Sequence, residues 1–400
     1  MTEKLVYEDQ YIKEFNANVV NIIDRDNKIL VELDKTCFFP GGGGQFCDLG
    51  FIGESKVIDM LQEDEKMYHI VDKKPINLED IKCSIDWERR LDGMQQHLGQ
   101  HLLSGCFYSL FGSNTCGIHI GDEISTVDIV GYITEEQIRK AEVMANNIIR
   151  ENRKVKFLMT TRKEAKSMGL RRELATKDQN IRIVEIDDLD INACCGIHPS
   201  STIELQAIKI KRYEKHKGNT RIEYLTGKRA IDDYLKVDSI LNEICKDFSS
   251  GSDEVLSSLN NLKENYNSLR GENSKIKSEL SKFEIKELLF ESENINNVLV
   301  VNKIYEGEDA KYLNKLASKI VEEQNRIVLF STHDKEKANM IFASSKNITK
   351  INISNILKDS ISLIDGRGGG SPILAQGAGK NISNLENSMG YAIRRVKELL

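Results

Sequence analysis

Two short segments hold residues whose types and spacing suit a metal site. MQQHLGQHLLSG (94–105) carries His97 and His101, and INACCGIH (191–198) carries Cys194 and His198. The members of each pair are four residues apart. On a helix that spacing puts both side chains on one face. Zinc takes N, S and O ligands, and a catalytic zinc site also keeps a place for water or substrate. Either pair alone arises readily by chance. Together, one pair in an amphipathic helical pattern and the other directly after a strand pattern, they point to Zn2+ held by His97, His101, Cys194 and His198. Cys195 is a spare thiol beside them, but neighbouring side chains in extended chain point opposite ways. His69 and His119 are outside candidates, and a hydrogen-bonded core or surface histidine explains either as well. The chain has no GxSxG and no HExxH, and GAGKN near residue 380 lacks the strand–loop–helix setting of a phosphate loop.

The elements that must position these residues follow from periodicity. Residues 1 to about 90 alternate apolar and polar over short runs, as in VVNIIDRDNKILVELDKTCFF, and predict a β-rich, barrel-like subdomain. Within it lies Pro40-Gly-Gly-Gly-Gly44-Gln45, read either as a permissive turn or as a place where a ligand nears the backbone. From Asp86 to about Phe111 the pattern is helical. Residues 91–227 predict an α/β core, with strands over VKFLMTTR and IRIVEI and a hairpin around KHKGN. Gly227 looks like a hinge into a connector, 228–290. There Val255, Leu259, Leu262, Tyr266, Leu269, Ile276, Leu280 and Phe283 recur at steps of three and four, with Asn273 in the one polar slot. This fits a coiled-coil seam of about four heptads or an intramolecular two-helix hairpin. Residues 291–400 return to α/β. The expected class is α+β.

Composition narrows the function classes. The net charge of −6 gives no global nucleic-acid signature, so such a partner needs local basic patches. Two candidates exist: KIKRYEKHKGNTR (209–221), with six Lys or Arg including Lys211 and Arg212, and Arg367 beside Gly368, Gly369 and Gly370. The first reads equally as a solvated hairpin rim. Eight cysteines without disulfide-type spacing and no long apolar run suggest a cytoplasmic protein with no membrane partner.

The order PGGGGQ, QHLGQHLL, CCGIH, RIEYLTGKRA resembles the editing domain of alanyl-tRNA synthetases and the free-standing editing proteins called AlaX. The tail DGRGGGSPILAQGAG resembles the DHH-associated domain of the same synthetases. The resemblance implies that the four metal candidates hold zinc. It also implies that Gly43, Gly44, Gln45 and His119 belong to the catalytic pocket, with Asp128 nearby, and that the substrate is seryl- or glycyl-tRNA of the alanine type. Because the sequence starts at the editing module, the expectation is a trans-acting deacylase and not a ligase, dimeric through the tail or the coiled coil. Two positions depart from the family, which carries threonine where Leu98 and Ile197 stand. Exchanging hydroxyls for apolar side chains raises the expectation of altered selectivity for the acyl group. The alternatives are a weakly editing or non-catalytic zinc-containing tRNA-binding protein, and a phosphoesterase; the absence of an Asp-His-His triplet argues against the latter.

Overall fold

The computed structural model describes residues 2–63, 66–174 and 178–400, which form two compact units, 1–252 and 253–400. The first unit opens with a seven-stranded antiparallel sheet. Its strands run Glu14–Ala17, Ile81–Ile85, Gly50–Ile52, Ser55–Glu63, Lys66–Val71, Lys28–Leu33, Val19–Arg25 in spatial order. The two end strands are not paired with each other, so hydrogen bonding does not close a barrel. Alternation along the strands sends Val31, Leu33, Val57, Met67, Val71, Ile81 and Cys83 into one core.

Helix α1 (Trp87–Phe111) follows this sheet and lies at the centre of the unit. Asp86 caps it by accepting from the Arg89 N–H, and Gly112 ends it in the left-handed region. From Gly93 to Phe107 every residue of α1 is buried, so it has no solvent face to carry an amphipathic signal. Helix α2 (Glu135–Glu151), opened by a Thr134–Gln137 capping box, packs against α1. Around them stand a four-stranded sheet (Thr115–Ile120, Ser125–Ile129, Asn219–Thr226, Ile208–His216) and a three-stranded one (Val155–Thr161, Asn180–Ile186, Asp190–Ala193). The short α3 (Arg162–Ser167) covers the latter. Helix α4 (Gly227–Phe248) starts at the expected hinge, but Gly227 is an anchor. Its φ is +58°, and a Cβ there would lie 1.9 Å from Gln95 Oε1. Thus α4 belongs with the first unit, and the expected connector is divided: α5 (Val255–Phe290) goes with the second.

The second unit is a six-stranded sheet in the order Glu293–Ile295, Val298–Glu306, Arg326–His333, Ala338–Ser344, Leu374–Gly379, Arg367–Ser371, antiparallel except between its second and third strands. Helices α6 (Ala310–Ile320), α7 (Ile353–Ser362) and α8 (Leu385–Leu399) complete it. The glycine-rich tail segment is its edge strand. Gly368 and Gly370 serve close approach, since a Cβ would lie 2.7 Å from the Gln376 carbonyl and 2.2 Å from that of Leu374. Among the described residues no helix is long and apolar enough to cross a membrane.

Candidate metal centre

His97 and His101 project from α1. Cys194 follows the strand Asp190–Ala193 and His198 lies in the loop beyond it. The ligand atoms of the four all lie within 4.8 Å of one another. Cys194 Sγ is 3.4 Å from His97 Nε2 and 3.7 Å from His198 Nε2.

A second layer fixes the rings. His97 Nδ1 lies 3.0 Å from Gln45 Oε1, and His101 Nδ1 lies 3.0 Å from Asp190 Oδ2. Both oxygens can only accept, so each Nδ1 carries its proton and each Nε2 is left to face the cluster. Asp190 is held in turn by Arg171 Nε at 2.7 Å and by the Asn192 amide at 2.7 and 2.8 Å. Gln45 Oε1 also accepts from the Ile197 N–H at 3.1 Å, which ties the glycine loop to the Cys-His turn. Gly196 leaves room for this contact: a Cβ there would sit 2.3 Å from His97 Nδ1.

Two observations test whether these residues fit a metal ion. His101 Nε2, turned to the cluster because Nδ1 is taken by Asp190, is buried without a hydrogen-bond partner among the described residues, a costly state for a polar atom unless something occupies the space beside it. The electrostatics also call for a cation. Burial opposes ionisation of the Cys194 thiol, but His97 and His198 hold its pKa well below the ordinary thiol value. Burial likewise opposes charge on His101, yet the hydrogen bond it donates to Asp190 prevails and raises its pKa to about 9; His198, buried, falls to about 3. Arg171 and His101 already answer the Asp190 carboxylate, so the buried Cys194 sulfur is the group that a cation at the cluster would serve. Three imidazole nitrogens and one thiolate are a donor set that suits zinc.

The cluster opens into a cavity of about 930 Å³ lined also by Tyr7, Gly43, Gln100, Ile118, Met159, Arg182 and Cys195. Gly41 to Gly44 all have positive φ, which accounts for the glycine run. The N–H groups of Gly42 and Gln45 are used on each other's carbonyls; Gly43 faces the cavity and Gly44 packs on Ile118. His119 is exposed and points away from the cavity that its neighbour Ile118 lines, and Asp128 is engaged by Arg221 at 2.8 Å. Leu98 and Ile197 are fully buried. Leu98 sits in the core with Leu102 and Cys106, Ile197 packs with Val6, Phe39 and Met94, and neither lines the cavity.

The comparisons fit this geometry. Residues 181–223 match the model of the threonyl and alanyl tRNA synthetase second additional domain, and residues 296–399 match that of the DHHA1 domain. The alanyl-tRNA editing protein AlaX-L of Pyrococcus horikoshii is 30% identical over 393 residues, with 94% of each chain covered. The chain belongs to the alanyl-tRNA editing family. It also resembles alanine–tRNA ligases: 30% identity to that of Thermococcus kodakarensis over 100% of this chain and 44% of the ligase, and 28% to that of Methanobrevibacter smithii over 98% and 45%. It thus spans less than half the length of those ligases. The C-Ala domain from Aquifex aeolicus alanyl-tRNA synthetase is 25% identical, with 28% of this chain and 97% of that one covered and a TM-score of 0.25.

Within this family frame, sequence reading missed the supports of the centre. Asp190, Arg171, Asn192, Gly196 and Arg182 were legible only as members of strands or turns. The one available signal was Asp190 four residues before Cys194. Among the basic residues singled out, Lys211 pairs with Asp233 and Arg212 with Glu214, so both are at least partly neutralised, while Arg367 is exposed on the edge strand.

Proposed function

We propose that this protein is a zinc-dependent hydrolase that removes wrongly attached serine or glycine from alanine-type tRNA, acting in the cytosol as a homodimer and not as an aminoacylating enzyme. The observation that carries the reading is the four-ligand cluster, with Gln45 and Asp190 behind it, at the wall of a cavity. His97, His101, Cys194 and His198 would hold the ion, which when bound supplies Lewis acidity to a carbonyl or water, or a point of attachment for an amine.

The chain's own residues account for the rest. Gln45 and Asp190 keep the two imidazoles of α1 in one tautomer and orientation. The Gly43 backbone faces the space where the ester would lie, with no side chain to obstruct it, and its N–H is suited to developing negative charge. Tyr7 and Ile118 line the cavity and limit water around the acyl group. We assign the tRNA body to the second unit, along the exposed edge of Arg367, Gly368, Gly369 and Gly370.

The test is turnover. Metal-loaded protein, with His97→Ala as control, is incubated with seryl-, glycyl- and alanyl-tRNA of the alanine type. Seryl or glycyl ester should disappear faster than alanyl ester, and the variant should lose the activity. If every misacylated tRNA stays intact while the metal remains bound, the protein is a zinc-containing RNA-binding protein instead.

A further inference from the structure

Arg182 stands on the strand Asn180–Ile186 and lines the cavity beside the metal cluster. Its Nη1 donates to the Cys194 carbonyl at 3.2 Å and to the Gly196 carbonyl at 2.7 Å. The Tyr7 hydroxyl donates to the Cys195 carbonyl between them at 2.9 Å. Three successive carbonyls of the ligand turn are therefore gripped from one side. The guanidinium lies 5.3 Å from the Tyr7 ring centroid and 4.7 Å from that of Phe157. These rings hold its plane and displace water from it.

That grip uses Nη1 alone. Guanidinium carries five N–H donors, and among the described residues nothing accepts from Nε or Nη2. No described carboxylate forms an ion pair with Arg182. The ionisable groups acting on it are Tyr7, Cys194 and Cys195. A fixed, half-buried cation that no described carboxylate pairs with is a site for an anion, in a wall that also carries Lys4, Arg171 and Arg172 along with Glu8, Glu173 and Asp178. An amino acid esterified to a terminal ribose has lost its carboxylate, so the anion left near the reacting bond is the phosphate on the 5′ oxygen of that same nucleoside.

We propose that Arg182 binds the last phosphate of the RNA substrate through Nε and Nη2 while Nη1 holds the Cys194–Gly196 turn, so that one side chain ties the position of the RNA end to that of the metal ligands. This rests on the reading of the cavity as an aminoacyl-ester site. A planar guanidinium suits the role because it can meet two phosphate oxygens at once, which an ammonium cannot.

The experiment measures binding of adenosine 5′-monophosphate, adenosine and free serine to metal-loaded wild type, Arg182→Gln and Arg182→Lys, by calorimetry, with metal content measured alongside. Wild type should prefer the monophosphate to adenosine by about tenfold or more. Arg182→Gln should lose that preference and Arg182→Lys keep part of it. Equal affinity of wild type for the two, or a preference that survives Arg182→Gln, overturns the proposal. So does loss of metal from both variants with the preference unchanged, or a loss of affinity confined to serine, which would make Arg182 a carboxylate site for the product. Because no hydrolysis is needed, a wild type that binds the monophosphate selectively but leaves every ester intact would sink the hydrolase reading and leave the phosphate site standing.

Discussion

At the scale of single residues, the four ligand candidates are spatially together, and what distinguishes them is how tightly their orientation is specified. Asp190 does most here: it accepts from His101, Arg171 and Asn192 while almost fully buried. Such outer partners commonly alter metal affinity 10–100-fold on mutation. Asp190→Asn should therefore weaken zinc binding by about that factor, read by competition with a chromophoric chelator, while Asp128→Asn, at a carboxylate engaged elsewhere, leaves it unchanged. An unaltered affinity in Asp190→Asn would remove Asp190 from the centre. Leu98 and Ile197 give the opposite lesson. Their place within the recognisable motifs suggested contact with the acyl group, yet both side chains pack into apolar cores. Any influence they have on selectivity must pass through packing, and a threonine at either position would bury a hydroxyl that needs a partner.

At the scale of elements, the glycine loop is held by charges well away from the metal. The Phe39 N–H donates to Asp48, the Asp48 N–H donates back to the Phe39 carbonyl, and Arg90 of α1 binds Asp48 and the carbonyls of Gln10 and Cys37. This links the seven-stranded sheet to the helix carrying both histidines. The same sheet buries His69 completely, with Nδ1 3.0 Å from the Val31 carbonyl and Nε2 2.9 Å from Thr36 Oγ1. Burial lowers its pKa to about 4. The ordinary value is about 6.5, so between those limits the unfolded chain takes up a proton that the folded sheet refuses. Stability should therefore be full above about pH 6.5 and fall by about 3 kcal/mol as pH drops toward 4. Urea unfolding of wild type and His69→Gln should show the difference between them shrinking over that window; a constant difference would mean His69 is not the group titrating. Long strands, α1 and the metal pairs were legible because periodicity and ligand chemistry are local. The supports were not. Arg90, Asp48, Arg171 and Arg182 act across 12 to 80 residues of sequence, and a single charged residue in a strand pattern gives no sign of its partner. The glycines beside Arg367 were read as part of a nucleic-acid patch, whereas two of them are required by the neighbouring strand.

At the scale of the molecule, α5 is a helix of 36 residues, about 54 Å long, with an apolar line on its surface. Leu259, Leu262, Tyr266, Leu269, Ile276, Leu280 and Phe283 are each at least half exposed, as are Tyr234, Leu235 and Val237 on α4. A monomer gains nothing from so long an uncovered line, and its steps of three and four match a coiled-coil seam better than a broad core-facing stripe. Asn273 costs stability within such a seam and fixes its register, as expected of a helix that must meet one particular partner. The proposed homodimer would pair this seam with a second copy and set two editing units on one assembly. Replacing Leu262 and Leu269 together by lysine should convert the dimer into a monomer in sedimentation equilibrium, with zinc content per chain unchanged because the ligands lie in the other unit. A wild type that is already monomeric, with thermal stability lost in the double lysine variant, would instead show that the seam is covered within one chain, as in a two-helix hairpin, and would sink the dimer.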